Sequence, residues 1–144
     1  MRREWLSESE DDTMDVGRAL GAALAAGAIV HLNGDLGAGK TVFVRGLAEG
    51  IGVDRDDVSS PTFTLIQEYQ GRHGRKLFHV DLYRLAGNEV GDLGLDALAA
   101  DGIVAIEWAN RLPDPDHHAV IVTIEEVEDQ TRRIRIDGLP GEGS

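Results

Sequence analysis

The segment NGDLGAGKTVFVRG, residues 33–46, combines several glycines with one lysine and one threonine. Gly34, Gly39, Lys40 and Thr41 satisfy the pattern G-x-x-x-x-G-K-[ST] in full. Glycines let the backbone turn tightly with its N–H groups pointing inward, and a helix that begins here adds the positive end of its dipole. In such a loop the lysine reaches the outer phosphates of a nucleotide, and the threonine hydroxyl binds a magnesium ion. The pattern therefore predicts a site for phosphate groups.

The residues on either side of this loop fit the strand and the helix that such a site requires. The upstream run AIVHL, residues 28–32, is apolar and typical of a buried parallel strand. Downstream, apolar residues recur at helical spacing until a glycine that indicates the end of a helix. These apolar residues are Val44, Leu47, Ala48 and Ile51. A glycine-rich turn that contains a lysine by chance is the alternative, but the order strand, loop and helix favours a nucleoside triphosphate site.

Two acidic residues stand at the ends of predicted strands and could complete the site. Asp81 lies in LFHVDLYR and Glu107 lies in IVAIEW. The magnesium ion of a triphosphate needs carboxylate ligands, and open α/β sheets place their chemistry at the carboxyl ends of strands. We therefore assign Glu107 to magnesium, partly through water, and Asp81 to the attacking water or to a second side of the metal. For each acid, a carboxylate that caps a neighbouring loop is the alternative.

A third candidate is the segment SSPTFTL, residues 59–65. Pro61 stiffens an extended approach, and the hydroxyls of Ser60 and Thr62 could face the phosphates as those of a switch loop do. Spacing alone favours the ordinary alternative, which is a Ser/Pro loop that enters a strand.

The elements around these residues indicate an α/β protein. SESEDDTMDVGRALGAALAAG predicts a capped helix, TLIQEY with KLFHVDLY a β-hairpin, NEVGDLGLDALAADG a short broken helix, and AVIVTIEEV with RRIRIDG a second hairpin. His31 and His79 fall on predicted strands and are interpreted as buried or half-buried structural residues. Because strands and helices alternate first and hairpins follow, we expect a three-layer sandwich like that of P-loop NTPases, with a mixed parallel and antiparallel sheet.

Length and composition restrict the class of protein. The 144 residues suffice for one domain, expected at residues 1–138, with a short flexible tail at residues 139–144. The chain has no cysteine, which excludes disulfides and thiolate metal sites, and no apolar run that could span a bilayer. We expect a cytoplasmic protein that does not associate with membranes.

The net charge of -12 argues against tight, unaided binding to nucleic acid, whose affinity comes largely from neutralising phosphates. Acidic residues cluster at positions 8–12 and 125–129, and arginines at positions 132, 133 and 135 form a short basic group. Solvated surface is the ordinary explanation of the acidic clusters, and a face for a basic partner protein is the alternative.

Four motifs, GDLGAGKT, SPTFTL, DLYRL and IEW, occur in this order along the chain. Together they resemble the TsaE family, also called YjeE, and the resemblance extends from about the Thr13 helix to the RRIRI strand. It implies a Mg-ATP-hydrolysing subunit that works with TsaB and TsaD to transfer threonylcarbamoyl to N6 of adenosine 37. The substrates are tRNAs that read codons beginning with A, and this subunit would meet tRNA only through the complex.

The same resemblance implies the roles of individual residues. The magnesium ligands would be Thr41 and Glu107. The catalytic residues would be Lys40, Asp81, Glu107 and Thr62. The ATP-binding residues would be Ser9, Glu10, Gly37, Ala38, Gly39, Lys40, Thr41, Val42 and Arg132. Many members have a second threonine where this chain has Val42, so a hydroxyl contact is lost while the backbone N–H can still face the α-phosphate.

Two other classes of function are weighed against this one. A stand-alone small-molecule kinase usually has an acceptor pocket and an arginine-bearing lid, and no inserted segment resembles one. A guanine-nucleotide regulatory switch would carry N-K-x-D and D-x-x-G, and neither motif occurs in the chain. The motifs therefore favour an ATPase subunit.

Overall fold

A computed structural model describes residues 3–25, 27–34, 39–53, 66–81, 95–107, 119–128 and 131–138. Its strands are β1 (Arg3–Ser7), β2 (Ile29–Gly34), β3 (Ile66–Gln70), β4 (Lys76–Asp81), β5 (Ile103–Glu107), β6 (Val120–Glu128) and β7 (Thr131–Asp137). They form one seven-stranded sheet in the order β1-β7-β6-β2-β5-β4-β3. The four strands β6, β2, β5 and β4 are parallel, whereas β1, β7 and β3 pair with their neighbours in antiparallel fashion. The expected α/β fold with a mixed sheet and two hairpins is confirmed.

The described helices are α1 (Glu10–Ala23), α2 (Lys40–Ile51) and α3 (Leu95–Asp101), with a 3-10 turn at Arg72–Gly74. Ser9 caps α1, because its side chain accepts a hydrogen bond from the backbone N–H of Asp12 at 3.1 Å. Gly52 caps the C-terminal end of α2: its φ of 101° is left-handed, and its N–H bonds to the carbonyl of Ala48. No helix in the described part of the chain is long and apolar enough to cross a bilayer.

Glycines let α1 and α2 pack backbone against backbone. A Cβ atom added at Gly17 would lie 2.4 Å from the carbonyl oxygen of Phe43, and one at Gly46 would lie 2.2 Å from that of Met14. Gly21 and Gly50 make similar contacts further along both helices. The contacts advance in the same direction along the two helices, so α1 and α2 are parallel. The start of α1 is thereby fixed beside the start of α2.

The central strands are covered on both faces, as the middle layer of a sandwich requires. All five residues of β5 are buried, and the core cluster joins the sheet to α1 and α2 through side chains such as Leu32, Phe43 and Leu47. Because β2, β4 and β5 are parallel, their carboxyl ends meet at one edge of the sheet. There Glu107 stands opposite Leu32 of β2 and opposite Asp81 of β4.

Two features of the fold were not expected. The charged N-terminal segment forms β1, an edge strand that pairs with β7. The acidic group of β6 also faces the arginines of β7, since Glu125 stands opposite Arg133 and their charged groups are 3.7 Å apart. Part of that acidic surface is therefore neutralised within the chain. The first half of the expected broken helix and the tail at residues 139–144 lie outside the described residues.

Candidate functional site

The start of α2 differs from the start of α1 in how it is capped. Gly39, which precedes α2, has a φ of 105° and no side chain that could cap the helix, and the first turn contains no acidic residue. The first turn of α1 contains three acidic residues. A left-handed φ favours glycine, which explains Gly39. A helix start without its own cap or acid can interact with an external anion through its backbone N–H groups and dipole.

A cavity of about 300 Å³ lies at this point. Its walls come from the first turns of α1 and α2, from the end of β5 and from the start of β7. The lining residues are Ser9, Glu10, Thr13, Gly39, Lys40, Thr41, Val42, Glu107 and Arg132. Residues that are far apart in the sequence and were predicted to bind nucleotide and magnesium therefore surround one space. Thr13 is the addition, and its position one helical turn after Ser9 is the sequence signal that could have found it.

The remaining predicted site residues are described only in part. Gly37, Ala38 and Thr62 lie outside the described residues. Asp81 ends β4 opposite Glu107, so the backbone brings both acids to the same edge of the sheet. The catalytic and ligand-binding roles of all these residues stay predictions.

Two ionisable side chains, Lys40 and Glu107, meet in the wall of the cavity, and a third, His79, contacts Glu107 from outside the lining. Lys40 is only 6% exposed, and its Nζ lies 3.8 Å from Oε1 of Glu107. The other carboxylate oxygen, Oε2, lies 2.6 Å from Nε2 of His79, which is 1% exposed. Buried charges are stable only when they are paired or hydrogen-bonded, and Glu107 satisfies this condition through both oxygens. The burial predicted for His31 and His79 is confirmed, but the contact of His79 with Glu107 was not expected.

The environment of Glu107 favours its ionised form. Burial is the largest single influence and raises the pKa of Glu107, because it removes the carboxylate from water. The hydrogen bond from His79 and the electrostatic attraction of His79 and Lys40 act in the opposite direction. Together they outweigh burial, so the pKa of Glu107 lies below its ordinary value. At neutral pH the cavity therefore presents a carboxylate that can bind a cation.

A chain of hydroxyl groups fixes the first turn of α1 at the cavity. The hydroxyl of Ser7 donates to the carbonyl of Ser9 at 2.7 Å, and its oxygen lies 2.6 Å from that of Thr13. Ser7 is on β1, opposite Arg132 of β7. Because Ser7 has one proton and gives it to Ser9, the Thr13 hydroxyl is the donor to Ser7. β1, which the sequence did not predict, thus connects the first turn of α1 to the strand that carries Arg132.

The oxygen atoms of the lining suit a magnesium ion that takes some of its ligands from the protein and the others from a nucleotide. Thr41 offers a hydroxyl and Glu107 a carboxylate, both of which are hard oxygen ligands. Within the described ranges, no group of three or more His, Cys, Asp or Glu side chains could hold a metal by itself. Magnesium in nucleotide sites is typically held by one or two protein oxygens together with phosphates and water. The donor set therefore fits magnesium only as a partner of bound phosphate.

Comparison with known proteins agrees with this geometry. The family model described as "Threonylcarbamoyl adenosine biosynthesis protein TsaE" matches residues 7–134. The chain belongs to the TsaE family. The match includes all the described residues that line the cavity, from Ser9 at the start of α1 to Arg132 of β7.

Several relatives named "tRNA threonylcarbamoyladenosine biosynthesis protein TsaE" match most of the chain. The protein from Aquifex aeolicus is 38% identical over 135 residues, which cover 93% of this chain and 95% of the relative. The protein from Bacillus subtilis is 38% identical over 134 residues, which cover 91% of this chain and 82% of the relative. The crystal structure of Bacillus subtilis YdiB has a TM-score of 0.73 at 30% identity and covers 94% of this chain and 84% of that protein. The TsaE-family chain thus shares its fold with a solved structure over nearly its whole length.

Proposed function

We propose that this chain is the Mg-ATP-binding and ATP-hydrolysing subunit that tRNA threonylcarbamoyladenosine biosynthesis requires. Membership of the TsaE family supports the place in this pathway. One observation carries the nucleotide part of the proposal. Buried Lys40 and Glu107 lie 3.8 Å apart at the start of a helix that has neither a side-chain cap nor an acidic first turn. A cation that can bind phosphate and an anion that can bind magnesium thus share one cavity.

In the proposed complex, the outer phosphates of ATP would lie against the first turn of α2 and against the ammonium group of Lys40. Thr41 and Glu107 would hold magnesium, which when bound neutralises charge on the phosphate oxygens. The pairing with Glu107 keeps the Lys40 side chain directed into the cavity before nucleotide arrives. Ser9, Glu10 and Arg132, which also line the cavity, would contact the rest of the nucleotide.

Hydrolysis requires a water molecule aligned with the terminal phosphate. We assign this alignment to Asp81 together with the SPTF segment that contains Thr62. The motifs place no arginine at the terminal phosphate, and such an arginine contributes on the order of 10³ or more to the rate in related reactions. We therefore expect slow turnover by the isolated chain and faster turnover in its complex with TsaB and TsaD. The complex would transfer threonylcarbamoyl to N6 of adenosine 37 in tRNAs that read codons beginning with A.

Nucleotide binding should be tested first on the isolated chain. A fluorescent ATP analogue should bind in a magnesium-dependent way, and unlabelled ATP should displace it better than GTP does, because the guanine-specific N-K-x-D motif is missing from the chain. Equal displacement by GTP contradicts the assignment to ATP. Lack of any nucleotide binding by a folded chain contradicts the phosphate site itself.

The role in the pathway should be tested with the purified partners. tRNA modification should require this chain, TsaB, TsaD and hydrolysable ATP, and ATP turnover should rise when the partners are added. Linkage requires that ATP and the partners increase each other's affinity for this chain by the same factor. A partner titration with and without a non-hydrolysable ATP analogue measures this factor. The proposed role is refuted if the affinity of this chain for TsaB and TsaD does not change with nucleotide, or if the chain alone binds tRNA tightly.

A further inference from the structure

The geometry points to His79 as a positioning residue that fixes the carboxylate of Glu107 for magnesium binding, an inference that rests on the proposed function. His79 lies on β4 and Glu107 on β5, the adjacent parallel strand. Their side chains meet over a distance of 2.6 Å between Nε2 and Oε2. His79 is 1% exposed and is not part of the cavity lining. It can therefore influence a ligand in the cavity only through the residue that it contacts.

The direction of this hydrogen bond follows from the chemistry of the two groups. An ionised carboxylate has no proton to give, so Nε2 of His79 donates and Oε2 of Glu107 accepts. The other ring nitrogen, Nδ1, is buried and has no hydrogen-bond partner among the residues that the structure describes. Within those residues the bond to Glu107 is thus the specific polar contact that the ring makes. A neutral, apolar side chain would fill the same space without leaving a ring nitrogen unsatisfied. The N–H group that His79 donates to Glu107 therefore explains why a histidine stands here.

This hydrogen bond divides the two oxygens of Glu107 between two tasks. Oε2 is held by His79, which is not part of the lining, while Oε1 lies 3.8 Å from Nζ of Lys40, a residue that lines the cavity with Glu107. A carboxylate held at one oxygen cannot rotate freely, so it presents the other oxygen to a cation in a fixed direction. Hydrogen bonds to metal-binding carboxylates orient the ligand, and their loss typically weakens metal affinity by about 10- to 100-fold.

The test compares variants that keep or remove the donor at similar volume. His79→Leu removes the N–H group, whereas His79→Gln retains one at a similar distance from the backbone. We expect His79→Leu to raise the magnesium concentration at half-saturation by about 10- to 100-fold. Magnesium is titrated into the chain with a fluorescent, non-hydrolysable ATP analogue, so binding is followed without turnover. The affinity for the analogue in excess EDTA should be unchanged, and His79→Gln should restore most of the magnesium affinity.

Phe78→Leu is the matched control for loss of packing in β4. Phe78 is the neighbouring residue, is 3% exposed and points to the opposite face of the strand. This variant should lose stability without any change in its magnesium titration. If His79→Leu does not fold, His79→Asn replaces it, because its shorter amide does not reach Oε2.

The outcomes separate this inference from the proposed function. If the unaltered chain binds the analogue equally with and without magnesium, the magnesium part of the proposed function fails. If the unaltered chain depends on magnesium and a folded His79→Leu or His79→Asn variant has the same titration, His79 has only a packing role. An equal loss in His79→Gln and His79→Leu also refutes the inference, since the donor would then be irrelevant.

Discussion

The close contact between α1 and α2 gives a prediction whose sign can be worked out from the structure. Gly21 is part of this contact, and a Cβ atom added there would stand 2.2 Å from the carbonyl oxygen of Leu47. Real Cβ atoms essentially never approach another atom within 3.0 Å, so the helices would have to separate by at least 0.8 Å, the difference between 3.0 and 2.2 Å. The obstacle is backbone within α2 and cannot rotate away. Gly21→Ala is therefore expected to destabilise the fold.

Two opposing free energies set the size of this effect. Alanine is favoured over glycine in a helix interior by about 1 kcal/mol. Inserting a methyl group into a well-packed interface costs roughly 1–3 kcal/mol, and a rigid backbone neighbour selects the upper part of this range. The net expectation is a loss of about 1–2 kcal/mol in the free energy of unfolding. For a domain of this size that loss lowers the melting temperature by roughly 2–8 °C.

Urea unfolding, followed by circular dichroism, measures the free energy of unfolding of Gly21→Ala and of a control variant. Ala19 is exposed on the same helix, so Ala19→Gly reports the helix preference alone and should cost about 1 kcal/mol. Without a steric conflict, Gly21→Ala would gain about the same amount. A Gly21→Ala protein that is more stable than the unaltered chain would falsify the close-packing argument, whatever the size of the gain.

Four further predictions concern the candidate site. Lys40→Ala should weaken ATP binding or turnover by about 10- to 100-fold, the usual value of a hydrogen bond to a charged group. As a control, Lys76→Ala removes a half-buried lysine paired with Asp101 and should leave ATP titrations unchanged. Near-normal activity of Lys40→Ala would contradict the assignment of the phosphate loop. Glu107→Ala should weaken magnesium-dependent hydrolysis more than metal-free nucleotide binding. Asp81→Ala should leave nucleotide binding unchanged but slow turnover by roughly 100-fold or more. Loss of binding in a folded Asp81→Ala protein would contradict the assignment of magnesium to Glu107 and of water alignment to Asp81. Because the pKa of Glu107 is lowered from its ordinary value of 4.5, its ionisation stabilises the metal-free fold above that pH, and this stabilisation is lost as the pH falls through the folded-state pKa. In urea titrations Glu107→Gln should therefore lose less stability than the unaltered chain between neutral and acidic pH. An identical pH dependence of both proteins would contradict the lowered pKa.

The predictions of fold and site that the sequence allowed all depend on local patterns of residues. The phosphate loop is recognisable because its glycines, lysine and threonine lie within eight residues and their spacing is a direct requirement of the backbone turn. Glu107 could be predicted as a site residue because it follows a continuous apolar run, and a buried strand places its last residue at the edge of the sheet. The mixed sheet was predictable for a similar reason, since alternation of helices and strands indicates parallel pairing and short turns indicate hairpins.

Contacts between distant segments were decided by the tertiary structure alone. β1 contains few apolar residues and becomes a strand only because β7, at the other end of the chain, supplies hydrogen bonds to its backbone. The same pairing brings Arg132 to the cavity, and its position there depends on a strand register that no local pattern encodes.

His79 and Gly21 illustrate the physical reason. From the sequence, His79 was a histidine on a strand, and its role depends on Glu107, which is 28 residues away and reaches Nε2 only when β4 and β5 are in register. Gly21 weakens an isolated helix, and its value arises because a Cβ atom at this position would lie 2.2 Å from the backbone of α2. The sequence was enough to predict which groups would bind phosphate, because those groups are contiguous. The tertiary structure decided which groups surround them, because a side chain acquires its partners only when separate elements pack.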